Sequence, residues 1–435
     1  MSTDHVLFQL LRQALGLEAS ASVPSDVDWN GVIGLAERHG LSAIAWDGLQ
    51  SIFNGNPQME FPLDKPRRYE WFGSALQCEI RNDAVNKRCK ELYDLYTGHG
   101  MACCVLKGQG VGQLYPVPNH RTSGDIDIWV MGGMEDVLRA TRDIGAKVSR
   151  INVKHVDADL FEDVQVEVHF CPGYFFNPVV SRHFRQWYEH SAAEQCGHFD
   201  ESLGFSYPTV PFNLVYLMYH LFQHYLYEGV GLRQVTDYCC VLMHSDEVAR
   251  RQAFEVVKHL GLARFCGGLM WVMAEVYGVE RGLLLCEPDA GEGRLMLDEF
   301  MRGAAFGRFD ERNGKFRTGD LVGGGGSESV GQGVLAAWVS GGGESAGVFA
   351  TGVSGGSGVA GVFGGSGEPV GRGILSGEVG ATGRRTGGPV GQGMLAAGVS
   401  HLRRDFRFLT RYPAEVLCAP FWKFWHWAWR VRRGY

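Results

Sequence analysis

With 435 residues, 45% of them hydrophobic and 12% aromatic, the chain is long enough for two or three domains with sizeable cores. A formal net charge of −7 argues against a bulk surface that grips nucleic acid electrostatically and leaves only a local basic patch at the C-terminus. The opening MSTDHVLFQLLRQALGL lacks a basic start, a continuous apolar run and a small-residue cleavage site, so no signal peptide and a cytoplasmic location are expected.

Residues 1–100 read as an N-terminal helical region: HVLFQLLRQAL, then DWNGVIGLAERHGLSAIAWDGLQSI capped by Asp28, then a long amphipathic stretch from Arg67 that Gly98 and Gly100 stop. From Met101 to about residue 180 the texture changes. Short β-type runs, ACCVLKG, GDIDIWV, KVSRINV and DVQVEVHF, alternate with glycine, proline and a helix-like MEDVLRATRDIG, which predicts an α/β core. Residues 181–321 return to helical spacing. Their most apolar window, VPFNLVYLMYHLFQHYLY, is interrupted by Asn213, His220, Gln223 and His224, so it predicts a buried helix and no transmembrane segment.

Between 322 and 400 the composition collapses to glycine, serine, valine and alanine, with VGQGVLAAWVS, VGRGILSGEVG and VGQGMLAAGVS as a degenerate repeat. Glycine at this density makes ordering costly and supplies little to bury, so a disordered, flexible insert is expected. A helical tail, 401–435, mixes tryptophans with Lys423, Arg430, Arg432 and Arg433; it staples onto the body or makes weak contact with a membrane surface or single-stranded nucleic acid. The eleven cysteines form no C-x-x-C and read as free, mostly buried thiols.

Within RTSGDIDIWV, Asp125 and Asp127 fall on one face of a strand and Ile126 and Ile128 on the other. Two adjacent carboxylates repel in a partly dehydrated cleft unless a cation lies between them, which suggests a platform for a hard divalent ion. An edge strand with two solvated aspartates gives the same pattern. Downstream, VQVEVHF puts Gln165, Glu167 and His169 on one face, so Glu167 is available as a third carboxylate if the two strands are neighbours. Upstream, VLKGQGVGQLY is a strand, a glycine turn and a helix start, which offers backbone N–H groups and the Lys107 ammonium to a phosphate chain. His220 and His224 have metal-ligand spacing but read as packed histidines, and Arg233 with Asp237 reads as a helical ion pair.

The order L-K-G, Y-P, R-x-x-G-D-I-D-I-x-V and V-E-V-H, with GLRQVTDYCCVL and FGRFDERN further on, resembles the bacterial uncharacterised nucleotidyltransferase family, within the superfamily typified by DNA polymerase beta. The resemblance implies an α+β fold: a small mixed sheet flanked by N-terminal and C-terminal helical regions. It implies Asp125, Asp127 and Glu167 as catalytic metal ligands for Mg2+ or Mn2+, and Gly108 in the nucleotide-phosphate turn. Gly108 is followed by Gln109 where the superfamily usually has serine or glycine, so Lys107 and Arg121 are expected to supply positive charge to the triphosphate. The implied reaction moves a nucleoside monophosphate from a nucleoside triphosphate to an acceptor that could be a sugar, another small molecule, RNA or a protein. A catalytically inactive nucleotide-binding module and a D-x-D glycosyltransferase are the competing expectations.

Overall fold

The computed structural model describes residues 2–18, 26–55, 58, 60–304 and 407–433. The expected glycine-rich insert, the FGRFDERN segment and the first residues of the tail lie outside the described residues.

Helix α1 (Thr3–Ala14) is followed by α2 (Trp29–Arg38), α3 (Ser42–Asn54) and the 34-residue α4 (Lys65–Gly98). Side chains at the caps explain two of the starts: Asp28 accepts from Gly31 N and Asp64 from Arg67 N. The second helix expected from the sequence is two helices. Gly40 adopts a left-handed φ of +67°, and Leu41 N returns to Ala36 O at 2.8 Å, which closes α2 before α3 begins.

Five strands follow the helical start: β1 (Cys103–Leu106), β2 (Ile126–Val130), β3 (Lys147–Ile151), β4 (His155–Asp159) and β5 (Val166–His169). A five-residue helix, α5 (Gly108–Gly112), follows β1, and α6 (Met134–Asp143) follows β2. The sheet order is β1-β2-β5-β4-β3; β2 and β5 are parallel and the other pairs antiparallel. Strand β4 was not foreseen, because HVDAD carries two aspartates that strands disfavour.

One face of the sheet, with Ile126, Ile128, Val166 and Val168, packs under the second half of α4 and under α6. Tyr96 and Thr141 tie those helices together by a 2.9 Å hydroxyl contact. From the other face Trp129 reaches the larger core, edge-on to Tyr188 and stacked on Phe212.

That larger core belongs to the remaining helices: α7 (Pro178–Gly197), α8 (Val210–Tyr227), α9 (Leu232–Met243), α10 (Glu247–His259), α11 (Ala263–Glu275), α12 (Ala290–Gly303) and α13 (Pro413–Arg433). Leu7 and Leu10 of α1 and Leu49 of α3 are fully buried in the same core, each burial contributing about 1.5–3 kcal/mol. The N-terminal helices thus pack with the C-terminal ones rather than around a core of their own. A short hairpin, β6 (Phe199–Asp200) with β7 (Phe205–Ser206), interrupts the helices after α7. All eleven cysteines are free thiols. Among the described residues no helix is long and apolar enough to cross a membrane.

Candidate active site

The site begins where β1 ends. Lys107 has a φ of +53°, a region that costs a non-glycine residue about 1–3 kcal/mol, and Gly108 follows at +33°. This turn aims the Lys107 side chain across the sheet, where its Nζ lies 2.9 Å from Asp127 Oδ2. Burial works against the ammonium charge, but Asp127, Asp125 and Glu167 outweigh it and raise the lysine pKa. The Gln109 amide turns inward and donates to Asn86 Oδ1 at 2.6 Å and Asn82 Oδ1 at 3.2 Å, so only the backbone at Gln109 is left to face a ligand in the turn.

In the β2–β5 register Asp127 stands opposite Glu167, and on β4 Asp157 stands on the other side of Glu167. His169 Nε2 lies 2.8 Å from Asp127 Oδ1 and 3.3 Å from Glu167 Oε2. His155 Nδ1 is 3.0 Å from Glu167 Oε2. The result is an alternating row across four strands: Lys107, Asp127, His169, Glu167, His155. Burial disfavours charge on both acids, yet Lys107 and His169 hold Asp127 below the usual carboxylate range, and His169 and His155 do the same for Glu167. His169 is shifted the other way: burial opposes its charge, and Asp127 and Glu167 prevail.

The ligand atoms of His155, Glu167 and His169 all fall within 4.8 Å of one another. Asn152 decides what His155 does there. Asn152 Oδ1 accepts from Lys154 N and His155 N, so its amide NH2 must donate to His155 Nε2, at 2.7 Å. Burial lowers the His155 pKa, while Nε2 also lies 3.3 Å from Asp157 Oδ1 and Nδ1 faces Glu167 without a hydrogen bond. His155 thus stands between two carboxylates, Glu167 and Asp157.

Asp125 precedes β2 and is exposed at the mouth of the site. Surrounding protein, then the charges of Asp127 and Glu167, push its carboxyl up to about 6. The mouth has an excess of negative charge, and its donors are carboxylate oxygens, the set that hard divalent cations prefer. Both oxygens of Asp127 are engaged, by Lys107 and His169.

Arg121 is not brought to this row. Its Nε and Nη2 donate to the two Asp237 oxygens at 2.7 and 2.8 Å, Tyr115 adds a third donor at 2.7 Å, and Arg121 is only 5% exposed. Asn82 donates to both Asn119 O and Arg121 O at 2.8 Å. Arg121 thus braces the segment that carries Asp125. The expected Arg233–Asp237 pair is corrected accordingly: Asp237 is taken by Arg121, and Arg233 Nη1 donates to Thr122 O at 2.7 Å. On α8, His220 and His224 stand ring to ring at 4.2 Å, and His224 faces Glu228 at 2.7 Å. They stand outside the His155–Glu167–His169 group.

Sequence reading missed His155, Asn152 and the Arg121–Asp237 brace. The first two lie on or beside the unforeseen β4, and the brace joins positions 116 apart in the chain. The only available signal was the H-x-D pattern beginning at His155.

No curated protein matches the chain. The profile of a family described as uncharacterised nucleotidyltransferase matches residues 25–278, more than half of the chain, and spans α2 through α11 with every strand of the sheet. The chain belongs to that nucleotidyltransferase family.

Proposed function

We propose that the protein transfers a nucleoside monophosphate from a nucleoside triphosphate to an acceptor hydroxyl, and that it does so with Asp125, Asp127 and Glu167 holding Mg2+ or Mn2+. The observation that carries this reading is the register of β2 and β5, which sets Asp127 beside Glu167 at the sheet end where Lys107 and Asp125 converge. The same arrangement supports a place in the DNA polymerase beta-like superfamily.

Asp125, Asp127 and Glu167 would hold the divalent ion, whose chemistry there would be Lewis-acid stabilisation of phosphate charge and activation of the acceptor hydroxyl. Lys107, released from Asp127, meets the triphosphate and offsets charge that builds as the α-phosphorus is attacked and pyrophosphate departs. Backbone N–H groups at Gly108 and Gln109 approach the phosphates at the start of α5, where a Cβ on Gly108 would meet nothing within 4 Å. Glu167, steadied by His155 and His169, completes the metal set or takes the acceptor proton as general base. Arg121 assists by fixing the segment that leads to Asp125.

A second reading, nucleotide binding without turnover, draws support from the double engagement of Asp127 by Lys107 and His169.

The test incubates the full chain with Mg2+ or Mn2+, each α-labelled triphosphate and a cell lysate. Label in a defined acceptor with release of pyrophosphate is expected, and Asp125→Ala with Asp127→Ala should remove it. Undiminished labelling by the double variant overturns the assignment. Binding without labelling across a broad acceptor panel supports the second reading, and release of a nucleoside diphosphate from a nucleotide sugar points to glycosyl transfer.

A further inference from the structure

Helix α13 has two faces with different fates. Glu415, Ala419, Trp422, His426, Trp429 and Arg433 recur at three- and four-residue steps and turn toward the body. Glu415 accepts from Phe176 N at 2.7 Å and Asn177 N at 3.0 Å, Trp422 stacks on Tyr174 at 4.4 Å, and Arg433 pairs with Glu135 at 2.8 Å. The helix is thus fastened along its length, from the segment after β5 to α6.

The opposite face carries an equally regular apolar stripe that stays in solvent. Leu417, Phe421, Phe424 and Val431 follow the same three- and four-residue steps with Ala428 between the last two, and they are 51%, 79%, 68% and 63% exposed. Trp425 and Trp427 flank the stripe at 52% and 61%. Arg432 flanks it, Lys423 and the half-buried Arg430 lie nearer the body, with Lys423 Nζ 5.4 Å over the Tyr227 ring, and the only acid on the helix, Glu415, is buried on the far side.

We infer that this face of α13 docks the protein on an anionic bilayer surface, with the stripe in the headgroup–acyl boundary and the basic side chains against acidic headgroups. Four turns of contiguous aliphatic and aromatic side chains give the buried area that interfacial helices use, and tryptophan beside arginine suits the headgroup level. Charge decides between occupants. A second copy would bring Arg432 and the net positive charge of the helix against their own kind, whereas an anionic surface complements them. Single-stranded RNA would match the charge but leave Leu417 and Val431 without a partner. Because the inner face is fastened, the helix lies in the plane of the surface instead of entering it end-on.

The test uses the full chain with vesicles of phosphatidylcholine, with and without phosphatidylglycerol, read by co-sedimentation and by the shift in tryptophan emission. Binding to the phosphatidylglycerol vesicles, weakened by salt, is expected. Phe421→Glu with Phe424→Glu should lower partitioning at least about tenfold with an unchanged melting temperature, since both side chains are mostly solvated. Arg430→Glu with Arg432→Glu should abolish the preference for phosphatidylglycerol. A chain that stays in the supernatant with both vesicles overturns the inference. So does a chain that ignores vesicles but forms a dimer, or binds oligouridylate, in a manner that Phe421→Glu disrupts. Vesicle binding unchanged in both double variants overturns it as well.

Discussion

Asp127 and Glu167 stand opposite one another on the parallel strands β2 and β5, and a single atom, His169 Nε2, lies within reach of both carboxylates. The two acids are therefore held close while each has a separate second partner, Lys107 for Asp127 and His155 for Glu167. This division predicts different failures. Glu167→Gln keeps the shape and leaves Asp125, Asp127 and Lys107 to bind the triphosphate. It should lower turnover by about 10²–10³-fold, with triphosphate affinity changed by much less. Single-turnover rates set against nucleotide titration would check this; equal losses in both would give Glu167 a ground-state binding role.

Lys107 occupies a strained turn whose one evident return is the placement of its ammonium at Asp127. Lys107→Met retains the stem and removes the charge. Loss of one charge-assisted contact of about 1.5–3 kcal/mol should weaken triphosphate binding by roughly 10–100-fold. Because the positive charge that competes for Asp127 is also gone, the divalent ion alone should bind more tightly. Calorimetric titrations with the ion alone and then with the triphosphate separate the two effects, and weakened binding of both would show that Lys107 chiefly maintains the site's shape.

The strands that carry Asp127 and Glu167 were legible because period-two alternation leaves a charged residue conspicuous between isoleucines and valines. Their adjacency was not legible, since no local pattern says which strands pair; it depends on β4 and β5 filling the sheet beside β2. Gly40 hid the boundary between α2 and α3 because apolar spacing continues across it, and only its left-handed φ breaks the helix. Arg121 was read as a phosphate ligand from its place before the carboxylates. Its true partner, Asp237, lies on α9, and in the sequence that residue looked sufficiently paired with Arg233 four positions earlier.

The Arg121–Asp237 brace should be the most damaging polar contact to cut. Asp237→Ala leaves a buried guanidinium without its carboxylate and removes the acceptor of Tyr115 as well. Losses of this kind cost about 3–5 kcal/mol. Urea unfolding should register a shift of that size. Replacing both partners, Arg121→Met with Asp237→Leu, should recover much of it, because no uncompensated charge remains. A loss below about 1 kcal/mol for Asp237→Ala would mean that Arg121 finds water or another acceptor.

His39 should set an acid limit on stability. It is 1% exposed, and its Nδ1 accepts a hydrogen bond from Leu232 N at 3.1 Å, joining the end of α2 to the start of α9. Burial, aided by the neighbouring Arg38 charge, lowers its pKa from 6.5 to about 4. Above pH 6.5 the ring is neutral in both folded and unfolded chains and contributes no pH dependence. As pH falls below 6.5 the unfolded chain takes up a proton that the folded chain refuses until about pH 4. Stability is therefore lost across that window, to a total of about 3 kcal/mol. His39→Asn places an amide oxygen near the Nδ1 position and removes the titration. Its unfolding free energy should fall less steeply than that of the parent between pH 6.5 and 4. Parallel pH profiles of the two proteins through that window would show that acid sensitivity arises elsewhere.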